Sequence, residues 1–456
     1  MTTFATPVGA QTGTMTMQDP AIKQLIHRLR QTDNFTNFFY LVRVWTYFAL
    51  VASSTIGFYY ANAYWGGSWA WNVPVTILGV LLMGAGMHQL TALTHEASHF
   101  ILFKNRWMNE LISEFFCMYP VYGSTHLYRL QHIAHHQFVN DPERDPDLAQ
   151  IHASGHFIGN PAKAGAFKRL LYKQLWLPNV LRFMFVRARF NAVGTDHNPY
   201  RRKGTKTSKA PGNLGLGYFF SLMGVLAVAV LYPVPWLLWA GPLVLSALLV
   251  LGISMLRPDQ FMVTRVQTVF PAKYQMGLRV LQNGALYTGL AYLSVYVDRW
   301  APVYYAVLWL SAIFTSFSLF MMLRQVVQHG NADRGWLTNT RTFIVSEFIR
   351  FAVFPLGQDY HLPHHLYASV PHYNLRELHE GLMQCPEYAA EATEVHGYFA
   401  SPESPKVYPT VMDVLSPEWA PKKEHEIHLD HSVLDSMDIQ GRDEIIADAE
   451  RAKAGK

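Results

Sequence analysis

Long apolar stretches separated by polar loops dominate the middle of the chain. Six stretches contain no Asp, Glu, Lys or Arg: residues 44–64, 73–93, 214–232, 236–256, 280–297 and 303–323. A helix of about 20 residues spans the roughly 30 Å apolar core of a bilayer. The pattern therefore predicts an all-α integral membrane protein with six transmembrane helices, paired into three hairpins by short joints.

The basic residues indicate how the predicted helices are oriented. Residues 127–210 hold 14 Lys and Arg, whereas the three short joints hold almost none. Because basic residues concentrate on the cytoplasmic side of membrane proteins, both termini and the long loops are expected in the cytoplasm. The basic loop 163–209 is expected to contact either anionic lipid headgroups or an acidic electron carrier.

Composition narrows the function classes. The net charge of +5 is mild and no long basic cluster is present, which argues against nucleic-acid binding. The two cysteines, Cys117 and Cys385, predict neither a disulfide framework nor a cysteine-based metal site. The predicted organisation is a polar N-terminal segment (1–36), a membrane domain (37–384) and a polar C-terminal tail (385–456).

The chain contains 21 histidines, and many of them form tight groups at the ends of predicted spans. The groups are HEASH with His95 and His99, HIAHH with His132, His135 and His136, and HLPHH with His361, His364 and His365. Spacings of three and four place side chains on one helical face. Pro363 predicts a turn and a helix that begins near it. His329 and Gln325 share a face at the end of the last span.

All these histidines are expected at the cytoplasmic membrane face, where nine of them can converge. Imidazole is a ligand for Fe, Zn, Cu and Ni. Nine nitrogen ligands exceed the needs of one ion, so two ions sharing one site fit the pattern better. Each group alone is a weak signal, but together and in this order they predict a shared metal site.

With these motifs the sequence resembles the membrane fatty acid desaturase family, whose signature is HxxxH, HxxHH and HxxHH. The segments QHIAHHQFVNDPERDPD and DYHLPHHLYASVPHYNL also match the family. The resemblance covers residues 37–384 and implies a cytoplasmic helical cap carrying the boxes, a non-haem di-iron centre, and O2 as co-substrate. It implies two electrons from a separate redox protein of the ferredoxin, rubredoxin or cytochrome type. It also makes His329 a ligand and places Gln325 where the family has a water-linking Asn. The family's usual four spans make four spans plus an interfacial pair the alternative to six.

Several other side chains are candidates for supporting the metal ligands. Ligating imidazoles usually donate their second N–H to a carboxylate or carbonyl. Carboxylates that stand close to the boxes are Asp141, Asp145, Asp147 and Asp359. The alternative for the first three is a solvated turn. His88, deeper along the second span, is either a functional group or a hydrogen-bonded core residue.

The expected activity is oxidation of a fatty acyl chain or fatty acid, with desaturation favoured. Hydroxylation or ketone formation on a lipid or carotenoid, and oxidative decarboxylation of a free fatty acid to a terminal alkene, use the same ligands and remain alternatives. From other classes, a membrane metal transporter would place its ligands near the bilayer midplane. A zinc hydrolase would need only three protein ligands and a carboxylate.

Overall fold

The computed structural model describes residues 15–193, 198–202, 208–232, 234–419 and 425–455. The first 14 residues of the predicted N-terminal segment lie outside the described residues, as do parts of the basic loop and residues 420–424 of the tail. The described residues are mainly helical. Their α-helices are α1 (Pro20–Leu29), α2 (Thr36–Tyr64), α3 (Asn72–Ser98), α4 (Arg106–Ser113), α5 (Thr125–Gln137), α6 (Pro146–Ser154), α7 (Ala166–Lys173), α8 (Leu177–Val193), α9 (Ala210–Leu231), α10 (Leu237–Met255), α11 (Ala272–Tyr296), α12 (Ala301–Tyr304), α13 (Ser318–His329), α14 (Glu347–Ala352), α15 (His361–Leu366), α16 (Leu375–Leu382), α17 (Pro386–Glu391), α18 (Val411–Val414) and α19 (Arg442–Ala454).

Two three-residue strands complete the fold. β1 (Thr342–Ile344) and β2 (Glu394–His396) pair in parallel. The pairing joins the segment before the third histidine box to the beginning of the tail.

Five helical spans within the described residues are long and apolar enough to cross a membrane. They are Thr36–Tyr64, Trp69–Ser98, Ala210–Leu231, Leu237–Met255 and Ala301–His329. The last span is continuous, because π-helical turns at Tyr305–Leu310 and Ile313–Phe317 connect α12 to α13. The expectation of apolar membrane helices is therefore confirmed at these five positions.

The sixth predicted span, 280–297, falls on α11, which is helical but less apolar. Lys273 and Arg279 stand on its first half. Gln282, inside the predicted span, donates from Nε2 to the carbonyl of Phe115 at 2.8 Å. These polar residues dilute the apolar stretch, so the sixth span stays a prediction.

The apolar helices form two packed groups. α2, α3 and the span Ala301–His329 share the largest core cluster, which includes Phe48, Met87 and Phe317. α9, α10 and α11 share a separate cluster around Leu222 and Leu249. The first histidine box and His329 lie at the ends of helices of the first group, whereas α5 and α15 carry the second and third boxes.

A buried ion pair joins the first two histidine boxes. Arg129 of α5 and Glu110 of α4 are fully buried and paired through two contacts of 2.7 and 3.0 Å. Arg129 also donates to the carbonyls of Ala97 and Ser98 at 2.8 and 3.0 Å, at the end of α3 where carbonyls lack helical partners. One guanidinium therefore fixes the second box against the first.

The described part of the tail packs onto the rest of the chain. Val395, Val411 and Val414 are buried members of the largest core cluster. His431 Nδ1 lies 2.9 Å from Nε2 of Gln137 on α5. The boundary at residue 385 nevertheless stays a prediction.

Arg129→Met is expected to lower the free energy of unfolding by about 3–5 kcal/mol, because it leaves Glu110 buried without a partner. Thermal or denaturant unfolding in detergent measures the effect. Arg129→Met combined with Glu110→Leu should recover most of the loss. The control is Arg28→Met, which breaks the exposed pair with Glu377 and should cost at most about 1 kcal/mol. A double variant as unstable as the single one would contradict the argument.

Candidate metal centre

Four helices bring the predicted histidines together. His95 lies in the last turn of α3 and His99 follows its end. α5 carries the second box, α15 carries the third, and His329 is the last residue of α13. The structure divides the nine side chains into two clusters: His95, His99, His132, His136 and His364 in the first, and His135, His329, His361 and His365 in the second.

The rings of the first cluster meet through their Nε2 atoms. The Nε2 atoms of His132 and His99 are 2.9 Å apart, those of His136 and His132 are 3.1 Å apart, and those of His364 and His136 are 3.0 Å apart. The ring centroid of His95 lies 4.3 Å from that of His364. The Nε2 of His95 is buried without a hydrogen-bond partner in the described structure.

The second cluster has the same construction. The Nε2 atom of His329 lies 2.8 Å from that of His361 and 3.1 Å from that of His135. The Nε2 atoms of His365 and His361 are 3.2 Å apart. The third and second boxes contribute to both clusters, so the two sites are neighbours.

The spacing of the Nε2 atoms fits metal coordination. Two nitrogens bound to one ion at about 2.0–2.1 Å lie roughly 3.0 Å apart at a right angle and roughly 3.4 Å apart across a tetrahedron. The observed 2.8–3.2 Å is nearer the right-angled value. Right-angled ligands belong to six-coordinate geometry rather than to a tetrahedral site.

Burial keeps most of these rings uncharged, as metal ligands must be. Burial, with a contribution from the nearby Arg129 charge, lowers the pKa of His99 to about 3. Burial and the neighbouring rings likewise hold the pKa of His361 well below its usual value. His135 differs, because burial lowers its pKa but the charge and hydrogen bond of Asp145 outweigh burial and raise it to about 9.

Three rings have a protein atom within hydrogen-bond distance of Nδ1, the nitrogen on the far side of the ring from the cluster. They are His95, His135 and His329. His135 Nδ1 lies 2.9 Å from the carboxylate of Asp145, and His329 Nδ1 lies 3.0 Å from the carbonyl oxygen of Asn339. Asp145 also caps α6 by accepting from the backbone N–H of Asp147 at 2.9 Å. An ionised carboxylate fixes both the tautomer and the orientation of its ring. The structure thus places Asp145 where the sequence suggested a supporting carboxylate.

Glu96 is a supporting residue that the sequence argument missed. It is buried, one oxygen lies 3.3 Å from Nδ1 of His95, and the other accepts from the backbone N–H of His372 at 2.8 Å. It therefore ties the first box to the segment after the third box. The signal was present as the Glu inside HEASH, but its second partner is 276 residues away.

The other suggested supporting residues lie elsewhere. Asp141 pairs with Arg144 and Arg334, each at 2.7 Å. Asp359 accepts from Nε of Arg350 at 3.0 Å, and burial raises its pKa to about 6.

His88 and Gln325 likewise make other contacts. His88 is fully buried and donates from Nδ1 to the carbonyl of Ala352 at 2.8 Å. Gln325 donates from Nε2 to the side chain of Gln150 at 2.8 Å. Neither contact reaches a ring of the two clusters.

The helix of the third box begins near Pro363, as predicted. α15 starts at His361, so Pro363 lies in its first turn rather than at its start. A proline is tolerated there because the N–H groups of the first turn have no helical partner. His361, His364 and His365 are thereby held on one short helix.

Comparison with known proteins now bears on this geometry. A family model described as fatty acid desaturase matches residues 74–264 and 255–395, more than half of the chain and all the boxes. The chain belongs to the fatty acid desaturase family. The dihydrorhizobitoxine desaturase of Bradyrhizobium elkanii is 24% identical over 357 residues, which are 76% of this chain and 77% of that protein. This desaturase-family protein is accordingly an oxidoreductase.

Asp145→Asn is expected to weaken metal binding ten- to a hundredfold, since it removes the carboxylate that holds His135. The variant keeps an oxygen that can cap α6. Competition with a chelator, followed by metal analysis, measures the affinity. Glu143→Gln, an exposed carboxylate of the same loop, is the control and should bind metal as the parent does. Equal affinity of Asp145→Asn and the parent would contradict the assigned role.

Proposed function

We propose that this desaturase-family enzyme holds two iron ions in its two histidine clusters and uses O2 to introduce a C=C bond into a fatty acyl chain or fatty acid. The observation that carries the proposal is the pair of buried clusters, with nine imidazoles of which eight have an Nε2 atom 2.8–3.2 Å from that of a neighbouring ring. Five imidazoles in one cluster exceed the four ligands of a tetrahedral zinc site, which favours iron. This excess also argues against a zinc hydrolase.

The protein contributes ligands, orientation and a water-poor setting. The nine rings would be the ligands, with five for one iron and four for the other. Bound iron and O2 would supply the oxidising power that an unactivated C–H bond requires. Asp145 holds the Nδ1 proton of His135, and Glu96 orients His95. Burial of the clusters keeps most of the rings neutral and limits access of water.

Membrane placement follows the charge pattern. We infer six spans, with both termini and all histidine boxes on the cytoplasmic side, and a catalytic domain at 37–384 between a polar N-terminal segment and a polar tail. The first box and His329 stand at the ends of the spans Trp69–Ser98 and Ala301–His329, and the second and third boxes lie on helices outside these spans. A metal transporter would need ligands nearer the midplane.

The reducing equivalents would come from a separate protein. O2-dependent desaturation consumes two electrons in addition to those of the substrate, and a ferredoxin, rubredoxin or cytochrome would deliver them. The exposed side chains of Lys163, Arg169 and Lys173 offer a basic surface to an acidic carrier. Anionic lipid headgroups are the alternative partner of this surface.

Desaturation is favoured among the reactions open to this site. The similar protein of Bradyrhizobium elkanii carries desaturase in its name, which supports this choice. Hydroxylation, ketone formation and oxidative decarboxylation use the same ligands. The products distinguish these outcomes, because the ligand set is common to all of them.

Expression in a bacterial host with a supplied electron donor is expected to yield a product two hydrogens lighter than a host lipid or fatty acid. Mass spectrometry of lipids, free fatty acids and volatiles measures it, and metal analysis should find about two irons per chain. His135→Ala should abolish the product by removing a ligand of the second cluster.

The matched control is His27→Ala, an exposed histidine far along the chain from the boxes, which should leave the product unchanged. A product one oxygen heavier would replace desaturation with hydroxylation, and a terminal alkene would replace it with decarboxylation. A chain that binds no iron and changes no lipid would refute the proposal.

A further inference from the structure

A second buried polar group lies beside the histidine clusters. Arg187 of α8 donates to the side-chain oxygens of Gln150 and Gln325, at 3.1 and 3.0 Å. Gln325 donates to the same oxygen of Gln150 at 2.8 Å. Arg324, next to Gln325 on α13, lies close enough to Arg187 for their charges to repel each other. We call Gln150, Arg187, Arg324 and Gln325 the arginine cluster. Each member is at most 8% exposed.

Neither arginine has a counter-charge like that of the buried Arg129, which is paired with Glu110. In the described structure the buried Arg341 likewise forms no ion pair, and it donates to the carbonyls of Val327 and Gly330. In the described part of the chain, neither Arg187 nor Arg324 forms an ion pair. The hydrogen bond that Arg324 does form goes to the side chain of Gln358, at 3.3 Å. A buried charge without a partner is costly, so this arrangement requires a reason.

The atoms left without partners are all donors. Nε of Arg324 and Nε2 of Gln150 are buried and have no hydrogen-bond acceptor in the described structure. The oxygen of Gln150 already accepts from Arg187 and Gln325, and the oxygen of Gln325 already accepts from Arg187. A ligand that binds at this cluster must therefore accept hydrogen bonds and carry negative charge. A carboxylate does both, and its two oxygens match the fork of a guanidinium.

The cluster adjoins the metal centre. The ring of Tyr128 stacks on that of the candidate ligand His132 at 5.3 Å. Burial raises the pKa of Tyr128 to about 12, against the opposing charges of Arg324 and Arg187. The half-buried Asp147 is the carboxylate whose charge acts on Arg324. Two guanidinium groups facing one carboxylate leave an excess of positive charge.

We propose that the arginine cluster binds the carboxylate of the substrate, so that the enzyme acts on a free carboxylic acid rather than on an ester or thioester. The inference rests on the proposed function, because it concerns the substrate of the same centre. A carboxylate held there, with its chain running past Tyr128 and His132, presents carbons near its acid end to the metals. The position of oxidation would then be counted from the carboxyl carbon.

The test compares binding of dodecanoate with binding of methyl dodecanoate. The full-length, iron-loaded protein in detergent is titrated without O2 or electron donor, so no turnover occurs, and affinity is read by calorimetry. The parent is expected to prefer the acid by at least about tenfold. Arg187→Gln and Arg324→Gln should each weaken dodecanoate about ten- to a hundredfold and leave the ester unchanged. Arg324→Lys should retain part of the preference.

Arg189→Gln, an exposed arginine on the same helix, is the control and should bind both compounds as the parent does. Iron content and unfolding temperature show whether each variant folds. If the glutamine variants do not fold, the proposal is tested by the parent protein alone. Equal affinity of the parent for dodecanoate and its methyl ester overturns the proposal. Folded glutamine variants that keep the preference overturn it too. A preference for the acid in this titration, together with no oxidised product in the expression experiment, would instead remove the proposed function and leave the carboxylate site.

Discussion

The two histidine clusters depend on the repulsion between ring nitrogens. When the lone pairs of two neutral imidazole nitrogens face each other at about 3 Å, they repel unless a proton or a cation lies between them. The closest Nε2 pairs lie 2.8–3.2 Å apart, in the interior, where water cannot separate them. Protonation relieves few of these contacts, because burial disfavours the charged form and is outweighed only at His135. Two bound cations would satisfy all nine rings at once, so the clusters and the proposed metals would form one structural unit.

The remaining polar interior holds that unit in place. Arg129 joins the second box to the last carbonyls of α3, and its own charge is balanced by Glu110. Asp145 orients His135 and begins α6 with the same carboxylate. Glu96 links His95 to the backbone beyond the third box. Each of these groups connects two different elements, and Glu96 connects elements 276 residues apart, so a shift of one box is resisted by the others.

Much of this could be predicted from local patterns. Spacings of three and four residues are enough to place box histidines on one helical face, and charge-free stretches are enough to locate five spans. The predictions weaken where partners come from distant segments. Nothing near Arg187 in sequence indicates Gln150 or Gln325, and the second contact of Glu96 depends on the packing of residue 372. Gln325 illustrates the limit, because family resemblance suggests a role at the metals, whereas its amide is engaged by Gln150 and Arg187.

This difference between local patterns and distant contacts also explains why the reaction is harder to predict than the metal ligands. Histidine ligands determine which ion is bound and leave open which carbon is presented to it. That choice depends on the groups that hold the substrate. Such groups are recognised by buried polar atoms without hydrogen-bond partners and by unbalanced charge, rather than by sequence motifs. The arginine cluster lacks hydrogen-bond acceptors and negative charge. Two of its buried donors have no acceptor, and its two guanidinium charges are near the single carboxylate of Asp147. A carboxylate ligand would supply both, and one end of its chain would be held beside His132 and His364. The regiochemistry of this enzyme would then be set by polar residues of α6, α8 and α13 rather than by the histidine boxes.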